Sequence, residues 1–252
     1  MHYKTICSFS LIALCLQASL PSQAQTLTVA WRIKPPHQYL ENGKAKGSLL
    51  ELTKHVFADS KISTRFVDEP AKRIWQNFTN GTKNYCSFGW YKLPERETLV
   101  QYSDSLHKDP PHILLVGNSV LSKVQTHKNL KSLFADTSLS LAIVDGVSYG
   151  TALDQLFASS QNKIIRSTAA PMIMARMVNA NRASMMLIDR DDWQYLSSKE
   201  EQLNELTQVD IDGMPAGLDR YIVCSKDVAP IVMNKINASL AKISANSKFN
   251  RP

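Results

Sequence analysis

Apolar strand-like runs and amphipathic helical runs take turns along this chain from Leu27 to Ile243, and that alternation limits the folds open to it. Leu27–Arg32 reads as a strand that must leave its sheet at Lys34-Pro35-Pro36, because proline has no N–H to donate. Gly47-Ser48 opens a helix in which Leu49, Leu52, Val56 and Phe57 recur at helical spacing. Ser63–Asp68 reads as a strand, Ala71–Phe78 as a helix ended by Asn80-Gly81, and Tyr85–Gly89 as the next strand. After Asp109-Pro110-Pro111-His112 the pattern resumes. His112–Gly117, Leu139–Val144, Lys163–Ser167 and Ala183–Ile188 read as strands, with helices starting at Thr151 and running through Met172, Ile173, Arg176 and Met177. Tyr221–Cys224 is a returning strand and Val228–Ile243 an amphipathic helix. Repeated strand–helix–strand units predict an α/β fold with mostly parallel sheets, and such sheets bind ligands in the crevice beyond the strand ends.

The first 24 residues predict export. Lys4 is their only charged side chain, an apolar stretch runs from Ile6 to Leu16, and Ser22-Gln23-Ala24 supplies a small-x-small cleavage site. This is the pattern of a secretory signal peptide cut near Ala24-Gln25, and the apolar stretch is too short to anchor in a bilayer. Cys15 follows Leu14, where a lipid-modified cysteine takes a small residue, so a lipoprotein is not expected. Cys86 and Cys224 stay with the mature chain. In an oxidising compartment they are either a disulfide between neighbouring strands or two buried, inert thiols. The formal charge of +7 is spread over single and paired basic residues without a basic run, which argues against a nucleic-acid partner.

Chemistry concentrates in Asn84-Tyr-Cys-Ser-Phe-Gly-Trp-Tyr-Lys-Leu-Pro-Glu-Arg96. An arginine just beyond a buried strand, beside aromatic rings, suits bidentate capture of a small carboxylate. The alternative is a surface arginine paired with Glu95 or Glu97. The methionines Met172, Met174, Met177, Met185 and Met186 read as core filler. Neither a metal site nor a cofactor motif can be argued from spacing.

Gly89-Trp-Tyr-Lys-Leu-Pro-Glu-Arg96 with Val100-Gln-Tyr-Ser103 resembles the signature of the family-3 bacterial extracellular solute-binding proteins, the periplasmic receptors of polar amino-acid transporters. Gly47 with Glu51, Pro70–Arg73 with Gly81, and Asn181-Arg-Ala-Ser-Met-Met-Leu-Ile-Asp189 match further landmarks of that family in order. The resemblance implies a two-lobed periplasmic binding protein of type II with a two-strand hinge. Lobe 1 would comprise residues 25–110 and 218–252, and lobe 2 residues 111–217, with crossings near 111–117 and 216–224. It also implies that Arg96, with Gly89 and Tyr91, holds a ligand carboxylate and that Asp189 takes a ligand ammonium. The Gly146–Gly150 loop would supply N–H donors, with Ser148 as hydroxyl and Tyr149 beside it. Trp31, Tyr39 and Trp90 are candidate aromatic walls, and Arg73 either points into the cleft or pairs with Asp68 or Glu69. For Trp90 the competing reading is core packing, and for Asp189 a helix N-cap.

The departures are Tyr91 in place of threonine, Val147-Ser148-Tyr149 in place of Ser-Gly-Thr, and Ser184 in place of aspartate. With Trp90, Trp31 and Tyr39 as aromatic walls, the cleft would favour a larger or flatter solute. The expected function is capture of a small anionic or zwitterionic solute by lobe closure, for uptake or sensing, by a monomer without cofactor. Its membrane partner would be an ABC permease or a sensor. Two alternatives stay open. One is a cyclohexadienyl-dehydratase-like enzyme using Glu51, Asp145 or Asp189, and the other is an interaction protein with a degenerate cleft.

Overall fold

A computed structural model describes residues 26–145, 147–168 and 171–245. The predicted signal peptide and Gly146 lie outside these. Twelve strands are described: β1 Leu27–Trp31, β2 Tyr39–Glu41, β3 Lys44–Lys46, β4 Thr64–Asp68, β5 Tyr85–Tyr91, β6 Val100–Lys108, β7 Ile113–Val116, β8 Ser140–Val144, β9 Lys163–Ser167, β10 Met185–Ile188, β11 Thr207–Val209 and β12 Asp219–Ser225. The helices are α1 Ser48–Asp59, α2 Ala71–Thr79, α3 Leu121–Val124, α4 Leu130–Phe134, α5 Thr151–Ser159, α6 Pro171–Asn179, α7 Arg190–Lys199 and α8 Pro230–Ala245.

The strands form two sheets of the same design, ordered β4-β1-β5-β12-β6 and β11-β7-β10-β8-β9, beside the small β2–β3 hairpin. In the first sheet β12 alone is reversed, being antiparallel to both β5 and β6. In the second sheet the reversed strand is β7, antiparallel to β10 and β11. Each reversed strand immediately follows a passage of the chain from one sheet to the other. These passages touch where the Asp109 N–H donates to the Leu218 carbonyl at 2.9 Å. Gly217 is required there, since a Cβ would lie 1.7 Å from the Asp109 carbonyl oxygen.

Helices cover both faces of each sheet, and the period of two along the strands assigns side chains to them. Val29, Cys86, Ile222 and Cys224 pack against α1 and α8 through Leu49, Leu50, Phe57, Ile236 and Leu240. Ala30, Tyr85 and Val223 turn the other way, onto Ile74 and Phe78 of α2. In the second sheet Leu115, Ala142 and Met186 meet Met174, Val178 and Trp193 of α6 and α7, while Leu114, Leu141 and Leu187 meet Leu133, Leu153 and Phe157. The near-continuous apolar runs of the central strands follow from this two-sided burial.

Cys86 and Cys224 face each other across the β5–β12 register and form a disulfide. β6, β11, the β2–β3 hairpin and the short helices α3 and α4 have no counterpart in the sequence reading. β6 buries Val100, Ser103 and Leu106, a spacing of three instead of the strand period of two, and its pairing with β12 carries register shifts. α7 was foreshadowed only by the competing reading of Asp189 as a helix N-cap, the position it takes.

Candidate functional site

A cavity of about 830 Å³ opens between the two sheets at the ends of their strands. The first sheet contributes Arg32 and Lys34 after β1, Trp75 on α2, and Gly89, Trp90, Tyr91 and Arg96 at and beyond the end of β5. The second contributes Val144, Ser148, Tyr149, Met172, Ile188, Asp189, Asp192, Tyr195 and Leu196. His112, from the first chain passage, and Arg220, at the start of β12, also line it.

Arg220 is the electrostatic hub. Its side chain is 2% exposed and makes a bidentate pair with Asp109, with Nε–Oδ1 at 2.7 Å and Nη2–Oδ2 at 2.6 Å. It also donates to the Gly89 carbonyl at 3.1 Å, to the Tyr91 hydroxyl at 3.0 Å and to Asp189 Oδ2 at 3.2 Å. The Gly89 carbonyl is turned by a φ of +75°, a conformation that glycine adopts without Cβ strain. Tyr91 donates its hydroxyl to Asp109 at 2.6 Å. Burial, with Asp189 and Asp109 nearby, pushes the Tyr91 phenol far above its ordinary range, and Arg220 opposes this. Burial works against the Arg220 cation, but Tyr91, Asp109 and Asp189 outweigh it and raise its pKa.

Lys34 reaches the second sheet's side of the cavity. A tight turn through Pro35 and Pro36, closed by paired backbone bonds between Lys34 and Gln38, aims its side chain there. Its Nζ lies 3.0 Å from Asp189 Oδ2 and 2.8 and 2.7 Å from the two oxygens of Asp192. His112 Nε2 lies 3.0 Å from Asp189 Oδ1. Burial disfavours the Asp189 carboxylate, yet Lys34, His112 and Arg220 together hold its pKa well below the usual range. Asp192 goes the other way, raised by burial and by Asp189 against the pull of Lys34. His37, Asp189 and Asp192 are spaced as metal ligands, and the Lys34 ammonium already bridges the two carboxylates.

The other end of the cavity is aromatic and cationic. Trp90 is fixed by its Nε1 donating to Ser87 Oγ at 2.7 Å and meets Trp75 edge-on at 5.0 Å. The Arg32 guanidinium stands 3.9 Å over the Trp90 ring, and that of Arg96 stands 4.1 Å over Trp75 and 5.5 Å from Trp90. Burial and the neighbouring Arg220 and Arg96 charges push Arg32 down to about 9. Burial lowers Arg96 as well. Among the described residues, no carboxylate pairs with either guanidinium. Arg96 therefore does not form the surface pair with Glu95 or Glu97 that the sequence also allowed.

Arg96, Gly89, Trp90, Tyr91, Ser148, Tyr149 and Asp189 all line the one cavity. Three other candidates are corrected. Trp31 is 4% exposed and packs in the core with Leu49 and Phe88, because it occupies an inward position of β1. Tyr39 is not part of the lining and meets the lining residue Tyr195 at a tilt, with ring centroids 5.4 Å apart. Arg73 is exposed on α2 and does not line the cavity, whereas Ala71, Lys72 and Trp75 of that helix do. Asp189 stands at the N-cap of α7 but makes no side-chain capping bond, since its carboxylate is drawn to Lys34 and Arg220. Met172 and Met186 contribute to the cavity wall as well as to the core.

The sequence reading missed Arg32, Lys34, Asp109, His112, Asp192 and Arg220. The rule that ligands gather beyond the ends of parallel strands nominates Arg32 and Lys34, which follow β1 directly. No local pattern signals Arg220, whose partners Asp109 and Gly89 are 111 and 131 residues away.

The sequence profile of the bacterial extracellular solute-binding proteins, family 3, matches residues 27–251. The chain belongs to this family. No curated protein sequence matches it significantly. Among solved structures, it is similar to one from Streptococcus mutans, described in a study of glutathione import via GshT and the cystine ABC importer TcyBC. That likeness has a TM-score of 0.72 at 18% identity over 89% of this chain and 91% of the other. A second is the Salmonella typhimurium periplasmic binding protein STM4351, described for high arginine specificity, with a TM-score of 0.66 at 14% identity over 90% and 96% of the chains. A third is an ancestral amino acid-binding protein, AncCDT-1, described as a precursor of cyclohexadienyl dehydratase, with a TM-score of 0.67 at 18% identity over 89% and 92%. At these identities the structures establish the two-lobed fold. Two of the acids that a dehydratase reading would use, Glu51 and Asp145, are exposed and outside the cavity.

Proposed function

We propose that this family-3 protein captures a small solute carrying negative charge in the cavity between its two lobes, for uptake or sensing. The observation that carries the reading is the pair of carboxylate-free guanidiniums, Arg32 and Arg96, set against aromatic faces in a cavity lined from both sheets. A desolvated cation without a counter-ion suits an anion brought by a ligand. Arg96 and the Gly89–Tyr91 segment form the first-lobe side, and Tyr149, Ser148 and Asp189 form the second-lobe side. The lobes divide at residues 110/111 and 217/218, a division supported by the two sheets and by the contact between the passages. The leader through Ala24 directs export to the periplasm, where an ABC permease or a membrane sensor reads the closed form.

The test is a thermal-shift and small-angle scattering screen of the chain from Gln25 against amino acids, organic acids and small peptides. A ligand at a hundred times its Kd should stabilise the fold by ~2.7 kcal/mol, and it should be recovered unchanged. Absence of any stabilising solute, or consumption of the one found, would remove the reading.

A further inference from the structure

If the cavity is a solute site, as proposed above, its charges also specify the solute. An α-amino acid needs an acceptor for its ammonium and donors for its carboxylate, and the second lobe has both kinds of group already engaged. Asp189, the carboxylate placed for an ammonium, has its Oδ2 held by Lys34 Nζ at 3.0 Å and Arg220 Nη2 at 3.2 Å, while its Oδ1 lies 3.0 Å from His112 Nε2 without a formed hydrogen bond. A ligand ammonium seated there would share Asp189 with Lys34, a like-charge contact in a desolvated place. The start of α5 is closed in the same manner. Asp154 Oδ1 accepts from the Tyr149 N–H at 3.0 Å, the Ser148 hydroxyl donates to Asp154 Oδ2 at 2.6 Å, and the Gly150 N–H donates to Ser148 Oγ at 3.0 Å. The protein thus supplies its own ammonium and its own carboxylate at these two places. Among the described residues, Arg32 and Arg96 are cavity cations with no carboxylate partner, each set only against tryptophan faces. The wall opposite them, with Val144, Tyr149, Met172 and Leu196, is largely apolar.

We propose that the cleft takes an organic acid with no ammonium group, its carboxylate held by Arg32 and Arg96 and its apolar body lying against Tyr149 and Met172. The Lys34–Asp189–Asp192 cluster then works as an exclusion device, turning the amino-acid subsite into one that repels the α-amino group. Such discrimination comes from a repulsive element as much as from an attractive one.

Matched pairs that differ only in the ammonium group test this by calorimetry: 3-phenylpropionate against phenylalanine, indole-3-propionate against tryptophan, and glutarate against glutamate. In at least one pair the acid should bind more than about tenfold tighter than its amino partner, as expected when one charged contact is unfavourable. Arg32→Gln and Arg96→Gln should each weaken that acid about tenfold or more. Arg32→Gln should also raise the melting temperature without solute, because it removes a desolvated cation; a purely structural arginine would lower it. Should Arg32→Gln not fold, Arg32→Lys, which keeps the charge but loses the planar fork, should still weaken the acid. Lys34→Met should narrow the acid-to-amino ratio by opening Asp189.

Amino partners that bind as tightly as their acids would overturn the proposal while leaving solute capture intact. So would Arg32→Gln and Arg96→Gln variants that both hold the acid within about twofold. If none of these compounds, and no member of the wider solute screen, shifts the melting temperature, solute capture fails and this proposal falls with it.

Discussion

His37 shows how one buried side chain ties stability to pH. It is 1% exposed, and burial first, then the Lys34 and Arg220 charges, push its imidazole down to about 2 from an ordinary 6.5. Asp189 pulls the other way without prevailing, and His107 adds to the lowering. Below pH 6.5 the unfolded chain binds a proton that the folded chain refuses, so stability is complete above that pH and falls as the pH drops. The expected slope from this group is ~1.4 kcal/mol per pH unit below about 6.5. Urea unfolding at pH 7, 6 and 5 should show that slope, and His37→Asn should flatten it by about this amount. Arg220 and Asp109 make a second residue-scale case. Asp109→Ala removes the bidentate partner of a buried guanidinium and leaves it only Asp189 as counter-ion, which should cost ~3–5 kcal/mol, whereas Asp109→Asn combined with Arg220→Met should recover much of the loss. Equal destabilisation in the single and double variants would count against Arg220 as the hub.

At the scale of elements, the reversed strand β12 depends on cross-strand partners that its own sequence does not announce. Tyr221–Cys224 is apolar enough to be read as a strand, but its antiparallel neighbours β5 and β6 come from far upstream. The Cys86–Cys224 bridge closes 138 residues of chain, and the chain-entropy account gives such a loop up to about 5 kcal/mol of stabilisation. The paired substitution Cys86→Ala and Cys224→Ala should lower the unfolding free energy by ~2–5 kcal/mol, measured with and without reductant. The wild-type protein under reductant should approach the variant, which should not respond. Gly217 belongs to this scale too. Any side chain there meets the Asp109 carbonyl, so Gly217→Ala should separate the two passages and loosen the Arg220 cluster beside them.

At the scale of the whole molecule, the lobes meet through charge. Lys34 belongs to the first sheet's side and Asp189 and Asp192 to the second, so three oxygen contacts at 2.7 to 3.0 Å span the cavity. Tyr39 and Tyr195, their rings tilted and their centroids 5.4 Å apart, add an aromatic contact between the two sides. The protein therefore carries part of its closing force without a solute. Lys34→Met should enlarge the radius of gyration of the solute-free protein in scattering experiments, and high salt should affect the wild type less than an exposed pair would suggest, because the site is largely shielded. An unchanged scattering profile would place the closing force elsewhere.

The sequence by itself determined the α/β class, because two-sided burial leaves unbroken apolar runs and amphipathic helices that survive in one dimension. It also located the Gly89–Arg96 segment, since a glycine, aromatic rings and an arginine adjoin there in the chain, and it brought Cys86 and Cys224 to the same question. It misplaced Trp31, which looks like a cleft wall but faces the core because of the pleat of β1. Only the tertiary structure decided which charges are already matched. Asp189 reads from sequence as a free acceptor, and the fold shows it paired with Lys34 and Arg220, which lie 155 and 31 residues away in the chain. Coulombic pairing depends on distance in space and on exclusion of water, and neither quantity is written in the order of the residues.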